Sequence, residues 1–205
     1  MSAPSTGPTD EALLERYVGG DLRAFETLLD RYRRPMYNFL LRTVRDPQAA
    51  EDLLQEVFVR VVQRASDFRG DSRFSTWAYT IARNLSIDHA RKMSHRRHAS
   101  LDAPARGQGD TEAPPLSERV EHPSPTAERA AIGQQVQVAL RAAVEALPDD
   151  QREVFLLRQV QHLSFLEIAE IVGVPENTAK SRMRYALERL QSALAEYRDY
   201  ATKLS

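Results

Sequence analysis

At 205 residues and without a single cysteine, the chain has room for one ordinary domain or two small ones, and a disulfide framework, a thiolate zinc site and a cysteine nucleophile are all excluded. Twenty-eight Lys and Arg against 29 Asp and Glu leave a formal charge of -1, so any grip on a polyanion must come from local basic patches, and the chain alone is expected to bind DNA weakly. The opening MSAPSTGPTDEALL has neither a basic head nor an apolar run, and no later stretch approaches bilayer-spanning length, which predicts a soluble cytoplasmic protein with no direct membrane insertion.

Residues 1–9 are rich in Ser, Pro, Thr and Gly and too poor in apolar groups to pack, so they are expected to form a disordered tail. Leu13, Leu14, Tyr17 and Val18 fit a short helix ended by Gly19-Gly20. Asp21 can cap a second helix carrying Phe25, Leu28, Leu29 and Tyr32 inward, which Pro35 is expected to interrupt before Met36, Phe39, Leu40 and Val44 resume the pattern. Asp46-Pro47 restarts the chain, the carboxylate accepting orphan amides and the proline suiting the first turn.

The next helix, to about Ala65, holds AEDLLQEVFVRVV, in which Leu53, Leu54, Val57, Phe58, Val61 and Val62 recur at helical spacing as a buried face. Asp52, Gln55 and Glu56 form a second face. Acids early in a helix and Arg60 and Arg64 late in it suit the helix dipole, and Glu56 can pair with Arg60, so a merely solvated face would look the same. After the polar loop FRGDS, Ser75 can cap a helix through TWAYTIARNLSIDHARK, with Trp77 expected in the core. No alternating strand pattern occurs, and the fold class is all-α.

Residues 99–130 hold five of the eleven prolines, two glycines, few large apolar groups and more acids than bases, which reads as a flexible acidic linker. It divides the chain into modules at 10–98 and 131–205. In the second module a helix from Gln134 should stop at Pro148, and Asp149-Asp150 should open another. Ser164 and Glu167 then make a capping box, Gly173 ends the short helix, and Ala179, Met183, Ala186, Leu187, Leu190 and Leu194 stripe a longer one. A short helix, a glycine turn and a longer helix make a helix-turn-helix, whose second helix enters the major groove. Asn177, Lys180, Ser181, Arg184 and Glu188, with Arg182 beside them, lie opposite the stripe and can reach phosphates or base edges; a solvated basic face is the plainer alternative.

Four blocks in order, GDLRAFETLLDRYRRPMYNFL, AAEDLLQEVFVRV, DFRGDSRFSTWAYTIARNLSIDHARK and LPDDQREVFLLRQVQHLSFLEIAEIVGVPENTAKSRMRYALERL, resemble an extracytoplasmic-function (ECF) sigma factor of bacterial RNA polymerase, of the sigma-70 family. The resemblance covers nearly the whole chain outside tail and linker. It implies two helical domains, sigma region 2 at 10–98 and sigma region 4 at 131–205, and a factor that binds core polymerase to direct promoter-specific initiation, with no catalytic residues, cofactor or metal of its own. By resemblance Asp52, Gln55, Glu56 and Val59 meet the clamp helices of the polymerase β′ subunit, and region 4 meets the β flap as well as the minus-thirty-five element through Asn177, Thr178, Lys180, Ser181, Arg182 and Arg184.

Phe68, Arg69, Gly70, Asp71 and Ser72 would border a pocket for a flipped minus-ten base, with Asn84 at its floor. A buried helix-interior Asn satisfied by neighbouring backbone remains an equal alternative for Asn84. Arg91 and Lys92 would meet phosphates upstream. An anti-sigma factor is a further implied partner. One departure concerns the bases read: the family often has Gly-Thr-Val after the turn, where this chain has Asn177-Thr178-Ala179.

Two rival classes stand beside this. A freestanding dimeric helix-turn-helix regulator accounts for residues 131–205 and leaves DLLQEVF and FRGDSRFSTW unexplained. An enzyme would rest on Asp88-His89 or the five histidines, but no HExxH, paired-ligand or nucleophile arrangement is present.

Overall fold

The computed structural model describes residues 7–100 and 125–197; the first six residues of the expected tail and most of the expected linker, 101–124, lie outside them. Eight α-helices occur among the described residues, with no strand: α1 (Asp10–Val18), α2 (Leu22–Val44), α3 (Pro47–Arg64), α4 (Phe74–Ser100), α5 (Pro125–Glu145), α6 (Asp149–Gln161), α7 (Phe165–Val172) and α8 (Glu176–Ala193). Short 3-10 turns follow α3 and α8.

The helices fall into two compact units. Among the described residues, one comprises those up to Arg91 together with Pro148–Ala186; the other comprises those within 92–147 and 187–197. In the first, α2 is the central element and packs against α1, α3 and α6. Its buried face of Leu28, Tyr32, Met36, Phe39 and Leu40 meets the need set by the 3.6-residue period, and Leu13, Leu14, Val57, Phe74, Tyr79, Leu157 and Ile168 complete a core of fully buried side chains. Aromatic edges lock it: Phe39 stands on Tyr79 at 5.3 Å and Tyr32 on Phe74 at 5.1 Å. In the second unit Val144, Leu147 and Leu190 are buried.

Local caps hold where the sequence places them. Asp21 accepts from the Arg23 amide, Asp46 accepts from the amides of Gln48 and Ala49, and both halves of the Ser164–Glu167 capping box are formed.

Three expectations change. Pro35 does not interrupt α2, which runs unbroken from Leu22 to Val44. Proline removes one intrahelical hydrogen bond, and burial of Leu28, Tyr32, Met36, Phe39 and Leu40 on both sides outweighs that loss. Helix α4 starts at Phe74 without a cap from Ser75; the Phe74 amide donates instead to the Glu11 carboxylate of α1 at 2.9 Å. Helix α5 begins at Pro125, well before Gln134, because PTAERAA offers a proline suited to the first turn followed by alanine-rich helix-forming sequence.

Candidate polymerase and nucleic-acid interfaces

Helix α3 buries Ala49, Ala50, Leu53, Val57 and Val61. The opposite side carries Asp52, Gln55, Glu56 and Val59, all exposed, in the i, i+3, i+4, i+7 pattern that makes one stripe. Val62, expected inward, is instead 41% exposed and extends the stripe beyond Val59, which is 47% exposed. It stands seven residues after Gln55, a spacing that already marked it. Gln48 donates to Asp52 and Arg60 pairs with Glu56 at 2.9 Å, solvent-accessible and weakly held contacts that a stronger partner can displace. The result is an acidic edge beside two uncovered valines.

The FRGDS segment crosses from the turn after α3 to the start of α4. Phe68 is half-buried in an aromatic cluster, 5.3 Å from Trp77 and 6.5 Å from Phe74. Arg69, Gly70 and Asp71 are exposed above it, Ser72 is half-covered, and Gly70 adopts a φ of 73° that its missing side chain permits. Trp77 is only half-buried; its ring forms the rim of the cluster, and the fully buried place expected for it belongs to Phe74.

Asn84 is exposed, which excludes the buried helix-interior alternative. It shares a face of α4 with Trp77 and lies two turns further on, about 10 Å along the axis. Arg91 and Lys92, both exposed, follow two turns later, with Asp88 3.9 Å from Arg91. Phe68, Trp77, Asn84 and the basic pair therefore trace one strip along α4: an aromatic ledge, an amide that donates and accepts, and cations.

In the helix-turn-helix, Gly173 takes the left-handed conformation at φ 69°, and the amides of Gly173 and Val174 both donate to the Ala169 carbonyl, which closes α7 and turns the chain into α8. Asn177, Lys180, Ser181 and Arg184 are exposed along one face of α8. Lys180 pairs with Glu176 at 2.8 Å, Ser181 donates to the Asn177 carbonyl, and the Arg184 guanidinium stacks on the Tyr185 ring. Arg182 departs from this face. It is largely covered and pairs with Asp150 of α6 at 3.1 Å, one residue position having rotated it toward α6 and away from Ser181. Thr178 on the same edge is half-covered.

Sequence reasoning passed over Arg83 and Glu153. Arg83 of α4 donates to the Glu153 carboxylate of α6 at 2.8 Å, seventy positions apart in the chain. Burial pushes the Glu153 carboxyl above its ordinary range, opposed by the nearby Arg83 and Arg182 guanidinium groups and reinforced by Asp150. No local pattern marks such a pair.

Two family models match the chain: sigma-70 region 2 over residues 28–97 and sigma-70 region 4 over residues 137–190. The RNA polymerase sigma-H factor of Pseudomonas aeruginosa is 33% identical over 189 residues, covering 92% of this chain and 95% of that protein. This chain belongs to the ECF group of the sigma-70 family. The ECF sigma factor SigW of Bacillus subtilis, 32% identical over 86% of this chain and 92% of its own, and the ECF sigma-E factor of Escherichia coli K12, 31% identical over 90% and 93%, agree. Two solved structures share the fold: CnrH in complex with the cytosolic domain of CnrY, with a TM-score of 0.63 at 20% identity over 92% of this chain and 99% of that one, and the sigma factor RpoE in complex with the anti-sigma factor NepR from Bartonella quintana, with 0.62 at 23% over 83% and 96%. The protein is thus a sigma factor that directs promoter-specific initiation of transcription. No described helix of it is long and apolar enough to cross a membrane.

Proposed function

We propose that this sigma factor acts in the cytoplasm, without enzymatic chemistry of its own, by docking the α3 stripe on the clamp helices of the polymerase β′ subunit and the region 4 surface on the β flap. The observation that carries this is the exposed line of Asp52, Gln55, Glu56 and Val59, extended by Val62: acids for cationic partners next to apolar groups left in water. Region 2, taken as residues 10–98, then reads the minus-ten element. An unpaired base entering beside the 68–72 loop stacks on the Phe68–Trp77 ledge, and Asn84 serves its pairing edge or the next nucleotide, while Arg91 and Lys92 take phosphates. Region 4, residues 131–205, reads the minus-thirty-five element through Asn177, Lys180, Ser181 and Arg184, with Thr178 at the edge and Arg182 bracing α8 from behind. Residues 99–130 tether the two. The sigma factor RpoE, of similar fold and solved with the anti-sigma factor NepR, supports an anti-sigma protein as a further partner.

Run-off transcription with purified bacterial core polymerase tests the reading. Promoter-specific product is expected only with the chain added, and the Asp52→Ala, Glu56→Ala double variant should keep its helical circular dichroism while its affinity for core falls by roughly tenfold or more, the loss expected for two charged contacts. Tight binding to a promoter fragment without polymerase would instead favour a freestanding regulator.

A further inference from the structure

None of the residues assigned a contact above belongs to α1, yet the first turn of that helix holds the end of the loop that borders the minus-ten ledge. Thr9 caps α1 by accepting from the Ala12 amide, and Leu13 and Leu14 seat the helix in the core. Asp10 accepts from the Arg31 guanidinium at 2.6 Å and from the Tyr32 hydroxyl at 2.5 Å, which fastens the same turn to α2. Glu11, the next residue, accepts from the Phe74 amide at 2.9 Å, across sixty-three positions of chain.

Phe74 is thereby gripped twice. Glu11 holds its backbone, and its fully buried ring meets the Tyr32 ring at 5.1 Å, which Asp10 keeps in place. The same Phe74 ring lies 6.5 Å from Phe68 and 6.0 Å from Trp77, the two rings of the ledge. At the other end of the loop the Phe68 amide donates to the Ala65 carbonyl in the short turn Ala65–Asp67, against which α1 also packs. Residues 69–73 run between these fixed points in neither helix nor strand, passing through Gly70 at φ 73°. Arg73, the residue before α4, carries no acceptor, so its side chain cannot cap the helix. A cap from the neighbouring chain would satisfy the Phe74 amide wherever α4 began. A carboxylate from α1 satisfies it at one place only, and a charged acceptor at a helix start is the stronger form of the bond.

We propose that Glu11 is a positioning residue for minus-ten recognition: from α1, without touching DNA, it fixes the end of the 68–73 loop so that the base pocket exists before a strand is opened. This rests on the reading of that loop and the Phe68–Trp77 ledge as the minus-ten site. A loop released at one end must be ordered at the moment of base capture, which weakens binding. It can also re-form around a wrong base, so affinity and discrimination fall together.

The test uses the full chain in reconstituted holoenzyme with three probes: the duplex promoter fragment of the run-off assay, the same fragment with its minus-ten bases replaced one at a time, and a shorter fragment ending upstream of the minus-ten element. Glu11→Ala should bind core polymerase and the shorter fragment as wild type does. It should lose discrimination between the favoured minus-ten bases and their replacements by roughly tenfold, the order expected when a loop is fixed only on binding. Glu11→Gln keeps an acceptor oxygen in place and should retain most of the discrimination; Glu11→Asp draws the carboxylate back by one methylene and should fall between. Amide exchange across residues 68–74 should quicken in the same order. Asp21→Ala, at the opposite end of α1, removes the cap of α2 and lowers stability without touching Phe74, so it should discriminate as wild type does. A fall in Asp21→Ala equal to that in Glu11→Ala, or in Glu11→Gln equal to that in Glu11→Ala, overturns the positioning role. If Glu11→Ala loses its helical circular dichroism, Glu11→Asp decides: wild-type discrimination there overturns the proposal, and a fall that Glu11→Gln does not share upholds it. A wild-type holoenzyme with no preference among minus-ten bases overturns the minus-ten reading itself, whereas equal preference in wild type and Glu11→Ala overturns the positioning alone.

Discussion

Tyr79 and Tyr32 show how burial governs chemistry at a single side chain. Tyr79 is fully buried in α4 and its hydroxyl has no hydrogen-bond partner among the described residues; Tyr32 is buried in α2 and donates to Asp10. Desolvation raises both phenol pKa values far above the ordinary range, and for Tyr32 the neighbouring Asp10 carboxylate adds to it. The unfolded chain loses these protons near pH 10 while the folded chain keeps them. The stability they carry is therefore complete below pH 10 and falls above it, by about 1.4 kcal/mol per pH unit for each phenol. Urea unfolding between pH 9 and 11 should show this fall, and Tyr79→Phe should remove the Tyr79 share of the slope. At neutral pH the same variant should be stabilised by about 1 kcal/mol, because it deletes a buried hydroxyl that no described side chain satisfies.

Helix ends divide the elements into those set locally and those set from afar. Gly173 terminates α7 at φ 69° with open space where a side chain would project. Gly173→Ala should thus cost about 1–2 kcal/mol through backbone strain alone. Gly133 lies inside α5, also facing open space but with ordinary helical backbone, so Gly133→Ala should instead gain up to about 1 kcal/mol. Opposite shifts of the urea midpoint for two identical chemical changes would confirm that conformation, not volume, distinguishes the sites. The start of α4 belongs to the other kind, since its first amide is held by a carboxylate from α1.

On the scale of the whole molecule, a formal charge of -1 means that DNA affinity rests on a few local cations and on the polymerase that carries them. Lys180 and Arg184 stand on the exposed face of α8, Lys180 in an exposed pair with Glu176 that costs little to exchange for a phosphate. Each phosphate contact contributes about 0.9 to the slope of log affinity against log salt. In promoter binding by the reconstituted holoenzyme, Lys180→Ala and Arg184→Ala should each flatten that slope by about one. Arg182→Ala should leave the slope almost unchanged and lower stability, because its partner is Asp150.

What the sequence alone determined is what lies within a turn or two of chain: the all-α class, the caps at Asp21, Asp46 and Ser164, the Gly173 turn, and the acidic stripe of α3. These depend on satisfying backbone groups and on a 3.6-residue period, both short-range demands that neighbouring residues meet by themselves. Burial and pairing are different, because they depend on which distant segment arrives. Only the tertiary structure could carry α2 through Pro35, bring Glu11 to the start of α4, leave Val62 and Asn84 in solvent, turn Arg182 onto α6 and join Arg83 to Glu153. In each case the outcome turns on whether a segment tens of residues away arrives to cover or pair the group or leaves it in water, and no local pattern encodes that segment's position.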